Sequence, residues 1–140
     1  MPSPIEDYAL IGDCHTAALV AKDGSIDWLC LPRFDSGACF AALLGTPEHG
    51  RWLLAPSVPA REVSRRYRRG TLVIETLFQT ESGEAAVIDF MPVRTGSPRL
   101  IRIVEGRRGR VPMHLELIIR FDYGSIVPWV RRAERSRPTL

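Results

Sequence analysis

Five polar side chains that could bind or catalyse lie near the start of the chain. They are Asp13, His15, Asp27, Arg33 and Asp35. Two carboxyl groups can act as general acid and general base when they flank a scissile bond about 6.5–9.5 Å apart, and one guanidinium can hydrogen-bond two oxygens at once. Aspartates more often cap turns and pair with arginine, and we expect that role for Asp27 and Asp35. For His15 we also expect a structural role.

One hairpin is predicted to position these groups. Asp23-Gly24 lies between two apolar runs, and both residue types tolerate the positive φ of a two-residue turn. The predicted register pairs Leu19 with Trp28, Ala17 with Cys30, and Asp13 with Phe34. One face of this hairpin is apolar and is predicted to pack in the core; it carries Ala17, Leu19, Ala21, Ile26, Trp28 and Cys30. The open end of the hairpin then collects Asp13, His15, Arg33 and Asp35.

The whole chain is predicted to be all-β, an antiparallel β-sandwich with one short helix. Strand-like segments with turn signals about every 8–12 residues are typical of sandwiches and barrels. Beyond the hairpin, strands are predicted over residues 51–55, 62–68, 71–80, 84–91, 99–105 and 111–121, the last two joined as a hairpin by 106–109. The helix is predicted over 37–44, capped by Ser36 and ended by Gly45 in the left-handed conformation.

The strands at 99–105 and 111–121 are apolar on both faces. Such strands are usually covered on both faces. One cover would be the opposing sheet and the other a further domain, so we expect the sandwich to be incomplete at its C-terminal end.

Several consecutive segments carry a family resemblance. They are residues 5–8 (Ile-Glu-Asp-Tyr), 12–20 (Gly-Asp-Cys-His-Thr-Ala-Ala-Leu-Val), 23–30 (Asp-Gly-Ser-Ile-Asp-Trp-Leu-Cys) and 32–36 (Pro-Arg-Phe-Asp-Ser). The pattern continues in residues 90–92 (Phe-Met-Pro), 120–124 (Arg-Phe-Asp-Tyr-Gly) and 127–132 (Val-Pro-Trp-Val-Arg-Arg). In these motifs the chain resembles the N-terminal domain of bacterial glycoside hydrolase family 15 proteins, which include trehalases, glucoamylases and dextran glucosidases.

The resemblance implies a domain organisation and a function. In that family a β-sandwich precedes an (α/α)6 barrel, which carries two catalytic glutamates and inverts configuration. It implies that residues 1–132 form the sandwich, that 133–140 are an irregular tail, and that both glutamates lie beyond residue 140. The chain would be the non-catalytic domain of a hydrolase of trehalose or α-glucan oligosaccharides, inactive alone, with the barrel and an α-glucoside as partners and without a cofactor or metal.

The loop after the hairpin is the candidate point of contact with substrate or barrel. Pro32 ends the strand, and Arg33, Phe34 and Asp35 follow it, with Asp13 and His15 nearby. Arginine and aspartate can hydrogen-bond sugar hydroxyls, and a phenylalanine ring can cover a sugar face. The same loop could equally serve only to dock the two domains, and the sequence leaves both interpretations open.

Composition excludes several other classes. No apolar run reaches the roughly 18 residues of a membrane span, and the N-terminal residues lack the pattern of a secretory signal. Three cysteines (Cys14, Cys30 and Cys39) do not make a disulfide framework or a zinc motif, which indicates a cytoplasmic protein. Residues 65–140 carry 15 basic and 8 acidic side chains, but without interleaved aromatic residues we expect no nucleic-acid binding.

Two alternative functions remain open. A stand-alone carbohydrate-binding β-sandwich would present aromatic side chains on an exposed face, whereas Trp28, Trp52 and Trp129 lie among apolar neighbours. A non-functional gene fragment would fit the polar, unpatterned residues 133–140.

Overall fold

Within residues 3–132, short apolar segments separated by turn residues form ten β-strands in two antiparallel sheets. The first sheet contains β1 (Tyr8–Gly12), β2 (Ala17–Ala21), β3 (Ser25–Cys30), β4 (Ala38–Phe40), β5 (Arg51–Pro56) and β10 (Met113–Ile118). The second contains β6 (Ala60–Tyr67), β7 (Ile74–Thr80), β8 (Gly83–Phe90) and β9 (Ile101–Gly109). The computed structural model describes residues 3–132, within which helical structure is confined to the short 3-10 turns Ile5–Asp7, Ala42–Leu44 and Pro47–His49.

The two sheets form a β-sandwich, which confirms the predicted fold class. The strand order is β1-β2-β3-β5-β10 in the first sheet, with β4 also paired to β3, and β6-β7-β8-β9 in the second. Alternate side chains of each strand enter the space between the sheets. The main core contains Ala9, Ile11, Ala18, Val20, Ile26, Leu29, Cys39, Phe40, Ile74 and Met91, and a second cluster contains Leu54, Phe78 and Val87.

The β2–β3 hairpin forms, but its turn is one residue longer than predicted. The strands end at Ala21 and begin again at Ser25, which leaves three residues in the loop. The amide of Gly24 donates to the carbonyl of Ala21 at 3.0 Å, and Gly24 has φ +93°. Three-residue hairpin loops place glycine in this left-handed region, so Asp23-Gly24 marked the turn correctly but not its length.

A β-bulge at Asp27 compensates for the longer turn. Leu19 pairs with Trp28, which confirms that part of the predicted register. Val20 pairs with Ile26, so Asp27 has no partner of its own on β2. The extra residue places Ile26 on the face opposite to Trp28.

The hairpin buries only part of the predicted face. Ile26 lies in the core as predicted, and Ala21 and Cys30 are also buried, but the other residues that face the second sheet come from the opposite face. Its core-facing residues are Ala18, Val20, Ile26 and Leu29. Ala17, Leu19 and Trp28 instead lie half-buried on the outer face of the first sheet. Because both faces of the hairpin are apolar, alternation alone does not show which face meets the second sheet.

The predicted helix over residues 37–44 is wrong. Residues Ala38–Phe40 form β4, which pairs with β3, and only Ala42–Leu44 makes a 3-10 turn. Gly45 has φ −175°, an extended conformation, and does not end a helix in the left-handed region. Pairing with β3 buries all three residues of β4, and this tertiary contact outweighs the local helix signals.

The predicted hairpin between the last two strands is also wrong. β9 runs through Gly109 and pairs with β8, whereas β10 pairs with β5 in the other sheet. Both are edge strands, and within residues 3–132 neither is covered on both faces. Ile103, Val104, Leu115 and Leu117 remain 44–56% exposed. The predicted tail, residues 133–140, lies outside the described residues.

A buried ion pair joins the two sheets. Arg102 of β9 donates through Nε to Asp89 of β8 at 2.7 Å, and both side chains are almost completely buried. The same guanidinium donates to the carbonyl oxygens of Trp52 in β5 at 2.6 Å and of Gly24 in the β2–β3 turn at 2.7 Å. Burial raises the pKa of Asp89, and Arg102 opposes that shift. The pair therefore connects β8 and β9 to β5 and the β2–β3 turn.

Removal of Asp89 should destabilise the sandwich strongly. In Asp89→Ala the charge of Arg102 stays buried without its partner, and we expect the free energy of unfolding to fall by about 3–5 kcal/mol. Glu81→Ala is the control, because Glu81 pairs with Arg61 at the surface and such pairs contribute less than about 1 kcal/mol. Urea unfolding followed by tryptophan fluorescence measures both variants. Equal losses in the two would contradict the anchoring role.

Candidate functional site

The turn between β1 and β2 is organised by Asp13. Its Oδ1 accepts hydrogen bonds from the backbone amides of His15 and Thr16, both at 2.9 Å. Its Oδ2 accepts from Nε of Arg94 at 2.8 Å, and the carboxylate is fully buried. Asp13 therefore fixes the turn from below the surface.

These partners also set the charge of Asp13. Burial by itself raises the pKa of a carboxyl group, because it disfavours the ionised form. The amides of Thr16 and His15 and the guanidinium of Arg94 outweigh burial and hold the pKa of Asp13 below its ordinary value. Asp13 is thus an anion at neutral pH, and both of its oxygens are occupied.

The loop that follows β3 lies beside this turn. The amide of Phe34 donates to the carbonyl of His15 at 3.0 Å. Arg33 Nε and Asp35 Oδ1 form an ion pair at 3.2 Å, with 70% and 75% of their side chains exposed. Cys14, His15, Arg33, Phe34 and Asp35 line an open groove of about 370 Å³. We call this surface the polar groove.

Five residues were predicted to contact substrate or barrel, and the polar groove brings four of them together, His15, Arg33, Phe34 and Asp35. The fifth, Asp13, turns its carboxylate towards Arg94 and supports the groove from within. Sequence reasoning did not find Arg94. Eighty-one positions separate it from Asp13, and no local pattern marks a contact over that distance.

Asp27 is also occupied by structural partners. The hydroxyl of Tyr8 donates to Oδ2 at 2.6 Å, and the hydroxyl of Ser25 donates to Oδ1. Burial, together with the bond to Asp27, raises the pKa of Tyr8. Of the residues that line the polar groove, Asp35 alone carries a carboxylate. The described lining therefore holds no pair of carboxylates for general acid–base catalysis.

An apolar groove opens on the outer face of the first sheet. It has a volume of about 220 Å³ and is lined by Leu10, Thr16, Ala17, Leu19, Trp28, Cys30 and Phe34. Tyr123 packs against Trp28, with ring centroids 6.0 Å apart. Phe34 is 60% exposed and lines both grooves, so the polar and apolar grooves form one continuous surface.

Sequence reasoning also missed the contribution of Tyr123. Asp122 and Tyr123 both have positive φ, and the amide of Tyr123 donates to the carbonyl of Ala38 at 3.3 Å. The signal was the Asp-Tyr-Gly sequence at 122–124, which is typical of a tight turn. Which strand that turn would contact was not marked in the sequence.

Comparison with models of protein families identifies the family of this chain. The family model described as "Trehalase-like, N-terminal" matches residues 1–135, nearly the whole chain. The chain belongs to this family. No solved structure matches it.

Three curated relatives of this chain are trehalases. The trehalase of Mycolicibacterium smegmatis is 44% identical over 89 residues, which cover 61% of this chain and 13% of that enzyme. Trehalase 1 of Sulfolobus acidocaldarius is 36% identical over 130 residues, which cover 93% of this chain and 22% of that enzyme. The trehalase of Thermoplasma volcanium is 31% identical over 135 residues, covering 91% and 22%. The chain thus spans at most about a fifth of these relatives.

Residues 3–132 show no sign of a metal site or a membrane span. In that range no three or more histidine, cysteine or acidic side chains come together as metal ligands would. Cys30 and Cys39 are buried free thiols, and Cys14 is an exposed one. No helix in the same range has the length and apolarity to cross a membrane.

The low pKa of Asp13 should appear as a pH dependence of stability. A carboxyl group with a depressed folded pKa stabilises fully above its unfolded pKa, near 4, and loses that contribution as the pH falls through the folded value. Asp13→Asn should therefore melt at lower temperature at neutral pH, and should lose less further stability than wild type between about pH 5 and pH 2. Thermal melts by circular dichroism measure this.

Asp35→Asn is the control for the Asp13 variant, because Asp35 is exposed on the neighbouring loop. In the 140-residue chain, its melting temperature should follow that of the wild type across the same pH range. A wild-type melting profile for Asp13→Asn would show that the buried contacts of Asp13 contribute nothing to folding.

Proposed function

We propose that this chain is the N-terminal, non-catalytic domain of a glycoside hydrolase of family 15 that hydrolyses α-linked glucosides, with trehalose as the favoured substrate. The observation that carries the proposal is the family match over residues 1–135. Trehalose is favoured because the curated relatives named above are all trehalases. α-Glucan oligosaccharides are the alternative substrates.

Exposed apolar side chains support a role as part of a larger assembly. Trp129 is fully exposed, and Val127 and Val130 are 64% and 86% exposed. Phe34 is also exposed and Trp28 is half-buried, and clustered exposed apolar side chains mark interaction surfaces. We infer that a helical barrel domain packs against some of these side chains.

The polar groove would then lie either at the rim of the substrate pocket or in the contact between the domains. Arg33 and Asp35 pair with each other at the surface and have no packing role. A guanidinium in this position can donate to two sugar hydroxyls at once, so we propose substrate contact for Arg33. For Asp35 we propose domain docking.

Kinetics of the full-length enzyme separate these roles. Arg33→Ala should lower kcat/KM for trehalose about ten- to a hundredfold, the loss of one strong polar contact in the transition state, with an unchanged melting temperature. Asp35→Ala should lower the melting temperature and leave kcat/KM near the wild-type value. Wild-type kinetics together with wild-type melting in both variants would exclude both roles.

The chain alone should not hydrolyse trehalose or maltose, because the described lining of the polar groove holds no acid–base pair of carboxylates. A glucose-release assay on the purified 140-residue chain tests this against a buffer blank. Glucose release that Asp35→Asn abolishes would place catalysis in this domain and refute the proposal.

A stand-alone carbohydrate-binding module is the second candidate. Phe34 supports it, because this exposed ring stands between Arg33 and Asp35, as a sugar platform with polar flanks would. Titration of the chain with trehalose, with Phe34→Ala as the comparison, decides between the candidates. Saturable binding that the substitution removes would favour the module.

We also propose a cytoplasmic location, on the basis of the three free thiols.

A further inference from the structure

The turn between β1 and β2 is a strained piece of backbone. Cys14 has φ +71°, in the left-handed region that is unfavourable for a residue with a Cβ atom. The amide of Asp13 donates to the carbonyl of Thr16 at 3.2 Å, which closes the turn. A Cβ atom on Gly12 would lie 2.9 Å from that same carbonyl oxygen, so the closure is tight. Backbone strain of this kind persists only where contacts from outside hold it in place.

Arg94 supplies such a contact through Asp13. It lies in the connection between β8 and β9, and its Nε donates to Asp13 Oδ2 at 2.8 Å. The Arg94 side chain is 11% exposed and the Asp13 side chain is 0% exposed. Without the guanidinium, the carboxylate would be buried without an opposite charge, which is strongly unfavourable. Because it could regain solvent only by opening the turn, the conformation of residues 13–16 depends on Arg94.

The turn in its own right holds the loop that follows β3. The hydroxyl of Thr16 donates to the carbonyl of Cys30, the last residue before that loop. Within the loop, the amide of Phe34 donates to the carbonyl of His15 at 3.0 Å. The backbone is thus fixed at two points, whereas the side chain of Arg33 is 70% exposed and Phe34 is 60% exposed.

We propose that Arg94 is a positioning residue of the polar groove and acts on Arg33 through the turn that Asp13 organises. Arg94 does not itself line the groove, so its effect on binding passes through the loop. A side chain presented by backbone that is already ordered loses less conformational entropy when it binds a ligand. The inference rests on the proposed function, because that function gives Arg33 its contact with substrate.

Amide hydrogen exchange in the 140-residue chain tests the positioning role without substrate. Arg94→Met replaces the guanidinium by an apolar side chain and removes the donor to Asp13. The amide of Phe34 should then exchange about tenfold faster, because the carbonyl that accepts from it is no longer held in place. Arg94→Gln keeps an N–H donor at the position of Nε, and its Phe34 amide should exchange at a rate close to that of the wild type.

Arg99→Met is the matched control for the exchange measurement, because Arg99 is exposed on the same β8–β9 connection. Its Phe34 amide should exchange at the wild-type rate, and circular dichroism checks that every variant is folded. A wild-type rate for Phe34 in folded Arg94→Met would overturn the proposal. An equal acceleration in Arg99→Met would overturn it as well, since Arg94 would then have no particular effect.

A double-mutant cycle in the full-length enzyme tests whether Arg94 acts through Arg33. Arg94→Met alone should lower kcat/KM for trehalose about tenfold. In the double variant Arg33→Ala/Arg94→Met, kcat/KM should equal that of Arg33→Ala alone, because the misplaced loop has no Arg33 contact left to lose.

Two kinetic outcomes would contradict this coupling. Losses that multiply in the double variant would show that Arg94 acts independently of Arg33. A wild-type kcat/KM in Arg94→Met, beside a reduced one in Arg33→Ala, would show that the position of the loop does not matter for binding. If Arg33→Ala itself keeps the wild-type kcat/KM, the proposed substrate contact fails, and the exchange of the Phe34 amide alone decides the positioning role.

Discussion

The guanidinium of Arg102 is the interaction on which the arrangement of the two sheets depends. Apolar contacts between sheets are not directional and would tolerate sliding. Arg102 removes that freedom, because it must reach Asp89 in its own sheet and the carbonyls of Trp52 and Gly24 in the other. Its charge also lies 5.4 Å from the centre of the Trp52 ring. A displaced sheet would leave a buried charge or carbonyl unpaired, which costs more than the contact itself contributes.

The Arg102 contacts also help to position the loops of the candidate site. Arg102 holds the Gly24 end of the β2–β3 hairpin, and Asp13 with Arg94 holds the neighbouring β1–β2 turn. Loops placed on such a rigid frame are where binding residues usually lie. The loop from Leu31 to Ser36 is joined to this frame through the Phe34–His15 hydrogen bond, and its charged side chains are left free in solvent.

Exposed apolar surface is the other constraint on this protein. The outer face of the first sheet, the β10 edge and residues 126–130 carry apolar side chains that the described chain does not cover. In contrast, some of the arginine charge of the second sheet is paired within the fold, since Arg68, which follows β6, and Arg107 of β9 both pair with Glu75. The surface available for protein contacts therefore includes these apolar side chains, in agreement with relatives that are about four to five times as long as this chain.

Turn chemistry and strand alternation act over a few residues, so the sequence by itself determined the features that depend on them. These are the all-β class, the hairpin at Asp23-Gly24, the Leu19–Trp28 pair, and the proximity of His15, Arg33, Phe34 and Asp35. Only the tertiary structure decided which hairpin face is buried. One bulge residue, Asp27, reverses the face of Ile26, and both faces are apolar. It also decided that 38–40 is a strand and that β9 and β10 belong to different sheets, since partners distant in sequence supply the pairing. Asp13–Arg94 and Asp89–Arg102 are visible only in the fold, because a buried charge is recognised by its partner and not by its neighbours in sequence.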